Sequence, residues 1–447
     1  MKVIKIGGGC LTDSETIGHV IKLVAQRGQG SIFVLSALNG ITDTLIGGMK
    51  EALAKEDNIP HLIGRLRDKH TRVARHLISN YQDYEGFARE LDKSLSELER
   101  YYYGLNFTRE ITARLRDVIS SYGERFAVQL FASGLKCQGI NATYRMPEKI
   151  GLSTDGKFGD ATANLRKTSK NLQHHLASLL NEGVIVLVPG FYGVSDQGDI
   201  TTFGRGGSDY SAAVVAVAME AQLLEIWKDV DGFMSADPKF VPEAQLIPVL
   251  SYEEAAELSY FGAKILHPAS VNPARLKNIP VRLRNTMDPG DEGTLITSVS
   301  ALQDYKAVAA KDGISVIRIR SARMLMAYGF LRKVFEIFEA YKTPIDMITT
   351  SEISVSLTID NPQYINEIAK DLKELGRVEI EENQSIICVV GDFRPERTGS
   401  APEIFEALDT IPLKMISYGG SPISLSLLIN TTDKIEALKL LSKHLFN

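Results

Sequence analysis

Apolar and polar positions follow a repeating order along the first half of this chain: a short apolar run stopped by glycine or proline, a polar cap, then apolar residues at three- and four-residue spacing. Residues 2–6 form the first run, interrupted by Lys5 and ended by Gly7, Gly8 and Gly9; Thr12, Asp13 or Ser14 then caps a predicted helix carrying Ile17, Val20, Ile21 and Val24. Ile32-Phe33-Val34-Leu35 predicts a second buried strand that leads through Ser36–Thr42 into another helix. From about 50 to 135 the pattern is helical, rich in Leu, Arg, Glu and Lys with Pro60 as its single proline, and reads as a helical insertion or cap. Ile185–Pro189 and Leu223–Trp227 predict two further strands. Strands alternating with helices imply an α/β fold with a largely parallel sheet, whose ligands collect beyond the carboxyl ends of the strands.

A break near Gly293–Thr297 precedes two short units that resemble each other. The first runs Phe335–Phe338, Pro344–Ile348, Ser354–Ile359; the second runs Ile404–Leu408, Pro412–Ile416, Ser424–Ile429. Each reads helix, strand, turn, alternating strand, with a further helix at about 363–375 and 433–445. Two copies of a small α+β module follow from that order.

Composition narrows the function. A chain of 447 residues with 44% hydrophobic content has room for two or three domains, and a net charge of −5 gives no general attraction to nucleic acid or to an anionic membrane. Cys10, Cys137 and Cys388 lie far apart without paired spacing, which fits a reducing cytoplasm and suggests neither a disulfide framework nor a cysteine metal site. The opening residues lack a leader pattern and no stretch of about 18 uninterrupted apolar residues follows, so a soluble, unexported protein is expected.

The candidate chemistry sits in loops. Lys5-Ile6-Gly7-Gly8-Gly9 brings backbone amides and an ammonium to an anion, although a tight turn beside a surface lysine accounts for these residues equally well. Gly204-Arg205-Gly206-Gly207-Ser208-Asp209 precedes an Ala- and Val-rich helix predicted over Tyr210–Glu220; its glycines free amides for phosphate oxygens, and Arg205 has the geometry to grip a carboxylate. Neither loop fits the Walker or dinucleotide pattern. Trp227–Lys239 is a loop of acids and cations, otherwise readable as a solvated turn; in Phe261–Pro268 a lysine, Lys264, follows a glycine, and His267 reads as a capping or packing residue. Lys5, Arg205 and Lys264 together suit a polyphosphate and a small carboxylate.

At these residues the chain resembles the aspartokinases of the amino-acid kinase fold, of the monofunctional lysine-sensitive type, through TTFGRGGSDYSA (201–212), WKDVDGFMSADP (227–238), FGAKILHPA (261–269), RMLMAYGFL (323–331) and PIDMITTSE (344–352). The resemblance spans essentially the whole chain. It implies a catalytic domain over 1–297, an ACT domain over 313–383, and a second ACT domain built from 298–312 and 384–447 into which the first is inserted. It implies transfer of the γ-phosphoryl of ATP, with Mg²⁺ held mainly through the phosphates, to the side-chain carboxylate of L-aspartate, opening lysine, threonine and methionine synthesis.

Carried over residue by residue, Lys5, Asp209 and Lys264 take the catalytic positions and no protein metal ligands are implied. Ser36, Thr42, Glu124, Phe191, Arg205 and Ser208 form the aspartate pocket, while Gly7, Gly8, Lys228, Asp229, Met234 and Lys239 join the two lysines around the nucleotide. Met324, Gly329, Phe330, Asp346, Thr350, Ser351, Glu352 and Thr358 match effector positions, with lysine the first effector implied and a homodimer or dimer of dimers the implied assembly. Two departures stand out. Ile6, Gly9 and Cys10 replace the family's Phe, Thr and Ser in the first loop, and Met326, Ala327 and Pro344 replace a His and two Ser in the effector region. These leave a second reading open, a catalytically altered paralogue that senses amino acids.

Overall fold

The computed structural model describes residues 1–262, 265–301, 303–324 and 328–446, and the chain divides into two compact units. The first comprises Met1–Gly232, Pro248–Leu250 and Leu266–Val299; the second comprises Phe233–Ile247, Ser251–Ile265 and Ser300–Asn447. Two segments that precede residue 297 thus group with the second unit, because Ala236 and Val241 bury their side chains among Val308, Ile387 and Leu425. Among the described residues no helix is long and apolar enough to cross a membrane.

The first unit is built on β1 (Lys2–Ile6), β2 (Ile32–Leu35), β3 (Ala142–Tyr144), β4 (Ile185–Pro189), a hairpin of β5 (Tyr192–Val194) and β6 (Ile200–Thr202), then β7 (Leu223–Lys228), β8 (Val249–Ser251), β9 (Val281–Asn285) and β10 (Thr294–Thr297). Its main sheet runs β3-β4-β2-β1-β7-β9-β10-β8. The pairs from β3 to β9 are parallel and β10 returns antiparallel, which matches the strand–helix alternation of the sequence. Helix α1 (Ser14–Arg27) starts at Asp13, whose side chain accepts from the Glu15 and Thr16 amides, and buries the expected Ile17, Val20, Ile21 and Val24.

Helices α2 (Ile41–Ala54), α3 (Asn58–Leu77), α4 (Tyr81–Thr108), α5 (Ala113–Ser120) and α6 (Tyr122–Cys137) account for the helical stretch. They share one apolar core with the sheet, since Leu62, Leu66, Leu91 and Leu98 cluster with Ile4, Phe33 and Leu187. Each such side chain contributes about 1.5–3 kcal/mol on burial. Two of the polar groups carried inside bond to backbone of α2: Tyr102 Oη donates to the Leu45 carbonyl at 2.9 Å and Asn106 Nδ2 to that of Ala52 at 2.6 Å.

After α7 (Pro147–Ile150) and α8 (Leu165–Asn181) comes α9 (Gly207–Ala218), which starts three residues earlier than the pattern predicted and stops two earlier. Gly206, at φ 73°, makes the left-handed turn that a side chain would oppose, so the helix begins immediately after it and takes Ser208 and Asp209 into its first turn. Helix α10 (Tyr252–Phe261) lies in the second unit and α11 (Asn272–Leu276) in the first.

The rest of the second unit reads β11 (Tyr305–Arg320), α12 (Phe330–Ala340), β12 (Ile348–Thr350), β13 (Ser354–Ile359), α13 (Ile365–Leu372), β14 (Arg377–Gly391), α14 (Ser400–Ala407), β15 (Met415–Ser417), β16 (Ser424–Asn430) and α15 (Lys434–Leu445). The repeat is present in the expected order. Both short strands, however, begin late in their Pro-led runs, at Ile348 within 344–348 and at Met415 within 412–416, in keeping with proline offering no ladder N–H. The sheet order is β12-β13-β11-β14-β16-β15. The second half of β11 pairs with β13 and the start of β14, and its first half with the end of β14, so the two long strands serve both modules as paired ACT domains require.

A buried ion pair anchors α10. Lys306 Nζ lies 2.7 Å from Glu254 Oε1, the two side chains being 2% and 7% exposed, and Ser300 Oγ donates to Oε2 at 2.7 Å. Burial opposes the charge on Glu254, yet its bonds from Lys306, Ser251 and Ser300 hold the carboxyl below its ordinary value. Lys306→Met leaves that carboxylate buried without its cation and is expected to destabilise the protein by about 3–5 kcal/mol, read as a lower urea midpoint at unchanged slope; an unaltered midpoint rejects the anchor.

Candidate active site

Strands β1 and β7 lie side by side, Lys5 beside Ile226, so their carboxyl ends deliver Lys5 and Lys228 to one place. The first turn of α9 delivers Asp209 to the same place. Lys5 Nζ stands 2.6 Å from Asp209 Oδ1 and Lys228 Nζ stands 3.2 Å from Oδ2, with Lys5 and Asp209 each 5% exposed. Burial opposes the charge on Asp209, but the two ammonium groups keep its carboxyl below the usual carboxylate value. Burial likewise pushes Lys228 below the usual lysine value, with Asp209 opposing and Lys5 reinforcing the shift. Three charges sum to +1 at the mouth of the glycine loop, a balance that welcomes an anion.

Gly8 and Gly9 line the adjoining cleft of about 820 Å³, along with Lys5, Ser36, Thr42, Glu124, Phe191, Arg205, Ser208 and Asp209. Gly7 is not among the lining residues: its amide donates to the Trp227 carbonyl at 2.9 Å and is therefore committed to the sheet rather than to a nucleotide. The free amides at the start of α9 add the positive end of a helix dipole. Glu124 is 3% exposed, accepts from Ser208 Oγ at 3.4 Å, and has its Oε2 buried without a partner among the described residues. Burial lifts its carboxyl to about 8, against the opposing bonds from the Ala37 amide and Ser208. Arg205 is exposed and has no acidic partner among the described residues, which leaves its guanidinium for a ligand. Phe191 holds φ at 76°, a left-handed conformation costing a non-glycine residue about 1–3 kcal/mol, and its carbonyl accepts the Phe203 amide at 2.9 Å.

The cleft also contains residues the motifs did not single out. Arg116 lines it as a second exposed guanidinium, and the neighbouring Asp117 is buried, with Oδ2 accepting the Gly159 and Thr202 amides at 2.8 Å each. Asp117 thereby pins the strand that leads into the Arg205 loop. An Arg-Asp pair at the start of the Ser120–Glu124 segment was the available signal, and it was hidden in an ordinary amphipathic helix.

The remaining nucleotide positions divide differently. Asp229 is exposed beside the glycine loop; Met234 and Lys239 belong to the second unit, where Met234 bridges to Leu246 and Lys239 is exposed. Lys264 lies outside the described residues, as do Met326 and Ala327. His267 is exposed at the start of a 3-10 turn, where its carbonyl accepts from Ser270 Oγ at 2.6 Å and its side chain makes no capping hydrogen bond.

The effector positions all fall in the second unit. Gly329 caps α12, Phe330 is buried in its core and Met324 packs partly against it, while Thr350, Ser351 and Glu352 are exposed around the β12–β13 turn. Thr358 and Asp346 are already engaged within the chain. Thr358 Oγ1 accepts the Met347 amide at 2.9 Å, and Asp346, expected to attract an ammonium from outside, instead pairs with Lys311 at 3.2 Å and with the Tyr260 hydroxyl.

A Cβ on Gly9 would stand 2.9 Å from one Asp229 carboxylate oxygen and 3.0 Å from the other, so a threonine there would require that exposed side chain to turn aside. Cys10 is buried with Sγ 3.8 Å from the Trp227 carbonyl, and burial raises its thiol above the usual value.

The model of the amino acid kinase family matches residues 1–285 and an ACT domain model matches residues 387–445. Aspartokinase 3, chloroplastic, of Arabidopsis thaliana is 32% identical over 99% of this chain and 81% of its own length. The crystal structure of Escherichia coli aspartokinase III in complex with lysine and aspartate, in its T-state, superposes at a TM-score of 0.85 with 29% identity over 100% of both chains. The R-state structure of the same enzyme with aspartate and ADP gives 0.83 with 29% identity, again over 100% of both chains. On these matches, the chain belongs to the aspartokinases, within the amino acid kinase family.

Proposed function

We propose that this protein transfers the γ-phosphoryl group of ATP to the side-chain carboxylate of L-aspartate, giving 4-phospho-L-aspartate and ADP. The observation that carries the reading is the buried Lys5–Asp209–Lys228 cluster at the edge of a cleft that also holds Glu124 and Arg205. The attacking carboxylate is already ionised near pH 7, so no general base is needed and catalysis rests on alignment and on charge neutralisation. Lys5 and Lys228 neutralise the transferring phosphoryl group, and Gly8, Gly9 and the start of α9 supply amides. Lys264 has the composition for the same role. Arg205 takes the α-carboxylate; Ser36, Thr42, Phe191 and Ser208 complete the pocket; and Glu124 holds the ammonium.

A Mg²⁺ ion carried by the nucleotide would supply charge neutralisation at the phosphate oxygens. The donor set fits a cation carried by the phosphates: Asp209 is committed to two lysines, and the exposed Asp229 beside Gly9 is the carboxylate the chain offers to such an ion. Product trapped by hydroxylamine as the aspartyl hydroxamate, formed only with ATP and aspartate together, tests the reading. Nucleotide binding without any hydroxamate favours the amino-acid sensor instead.

Glu124 makes the reaction pH-dependent. With its carboxyl at about 8 in the unliganded cleft, most of it is protonated at pH 7 and unable to offset an ammonium. The kcat/KM for aspartate is expected to climb roughly tenfold per unit from pH 6 and to level off above 8, and Glu124→Gln is expected to remove that limb. A flat profile in the unaltered enzyme contradicts the role.

The paired ACT modules, with boundaries at 298–312, 313–383 and 384–447, serve regulation by an amino acid, and lysine is the effector that the E. coli structure supports. Strands β12 and β15 end the sheet order and expose Ile348 and Ile416, a feature that supports pairing with a second chain and hence a homodimer or dimer of dimers. Cys10, Cys137 and Cys388 are free thiols, as a cytoplasmic enzyme permits.

A further inference from the structure

Asp346 has a side chain with no solvent exposure. Its Oδ1 receives the Lys311 ammonium at 3.2 Å and the Tyr260 hydroxyl, while Oδ2 is buried without a hydrogen-bond partner among the described residues. Lys311 is shared: its Nζ also lies 2.8 Å from Asp360 Oδ2 and 3.8 Å from the centre of the Tyr260 ring. All four residues belong to the second unit, Tyr260 at the end of α10, Lys311 in β11, and Asp346 and Asp360 flanking β12 and β13.

Two carboxylates thus surround one ammonium, which leaves the cluster one positive charge short. An isolated carboxylate buried as Asp346 is must be paired, and the chain pairs it from within. Ligands from outside reach it only when Lys311 or Tyr260 withdraws. Lys311 has somewhere to go, because Asp360, with a side chain 32% exposed, already holds it from the other side.

We propose that Lys311 acts as an internal cation at Asp346, in competition with the distal ammonium of a diamino-acid effector, and that it thereby sets the affinity and selectivity of the regulatory site. This rests on the ACT-effector reading above. The exchange puts the effector's ammonium on Asp346 and shifts Lys311 wholly onto Asp360, taking the cluster from −1 to neutral, and because Lys311 must first be moved, free lysine binds more weakly than an empty acidic pocket would allow. Tyr260 loses or keeps its bond to Asp346 with the exchange, and in sequence it directly precedes Phe261-Gly262-Ala263-Lys264.

Calorimetry on the full chain, with lysine and with norleucine, which keeps the carbon chain but lacks the distal ammonium, as probes, tests the idea. Lys311→Met is expected to tighten lysine at least tenfold and to leave norleucine within twofold; unchanged or weaker lysine binding, or an equal gain for norleucine, overturns it. Should Lys311→Met fail to fold, Asp360→Asn at the partly exposed partner gives the opposite sign. A displaced Lys311 then has no second carboxylate, so lysine should weaken several-fold, and equal or tighter binding overturns the proposal. Lysine bound alike by the unaltered chain and both variants keeps an effector site while rejecting this role for Lys311. Absence of binding in all three rejects both.

Discussion

Lys5→Met should lower kcat on the order of 10³-fold while the protein still melts cooperatively. The reaction joins two anions, and Lys5 is the cation nearest the glycine loop, held 2.6 Å from Asp209 in a position 5% exposed. In that environment a fixed ammonium acts on developing phosphoryl charge with far less screening than water provides, and its loss cannot be made good by solvent. Lys228 remains to pair with Asp209, so the variant keeps a neutral rather than an anionic cluster and should fold. Steady-state turnover beside a thermal melt reads both halves of the expectation. Turnover within tenfold of the unaltered enzyme removes Lys5 from the chemistry.

What the sequence revealed and what it hid follow from the range of the forces involved. The start of α1 was readable because capping is local: Asp13 meets the Glu15 and Thr16 amides two and three residues on. Strands Ile32–Leu35 and Ile185–Pro189 were readable because strands buried on both faces are continuously apolar. Strands β11 and β14 were not singled out, although Ile386–Val390 is itself a continuous apolar run; the two strands pair with each other along their length, with β13 and β16 each joining over one half and a register shift near Gly313, an arrangement that only the fold reveals. At the site, the glycine loops pointed to an anion, but the bond between Lys5 and Asp209 spans 204 positions, and only the parallel sheet makes it. Asp117 escaped for the same reason, since its amide partners Gly159 and Thr202 lie far along the chain, the second of them at the end of β6. Asp346 was identified by motif yet assigned an external partner, because nothing local reveals that Lys311 and Tyr260 already occupy it.

Asp209 carries the second large effect, and it joins stability to turnover. Its carboxylate pairs with both Lys5 and Lys228, so Asp209→Ala leaves the two ammonium groups repelling each other across that position in a poorly hydrated place. The expected cost is about 3–5 kcal/mol of folding stability. Because its carboxyl is held below the ordinary value of 3.8, the contribution is complete above that pH and is lost only as the solution becomes more acidic still. The unaltered protein and the variant should therefore differ fully at pH 7 and converge towards pH 2. Turnover should fall with it, since Lys5 loses the group that aims its ammonium. In a cycle of Lys5→Met, Asp209→Asn and the double variant, the double variant should be little slower than Lys5→Met alone, because a positioning group has nothing left to position. Additive losses would instead mean that Asp209 contacts the reacting groups independently of Lys5, and the cluster would have to be read as two separate sites of action.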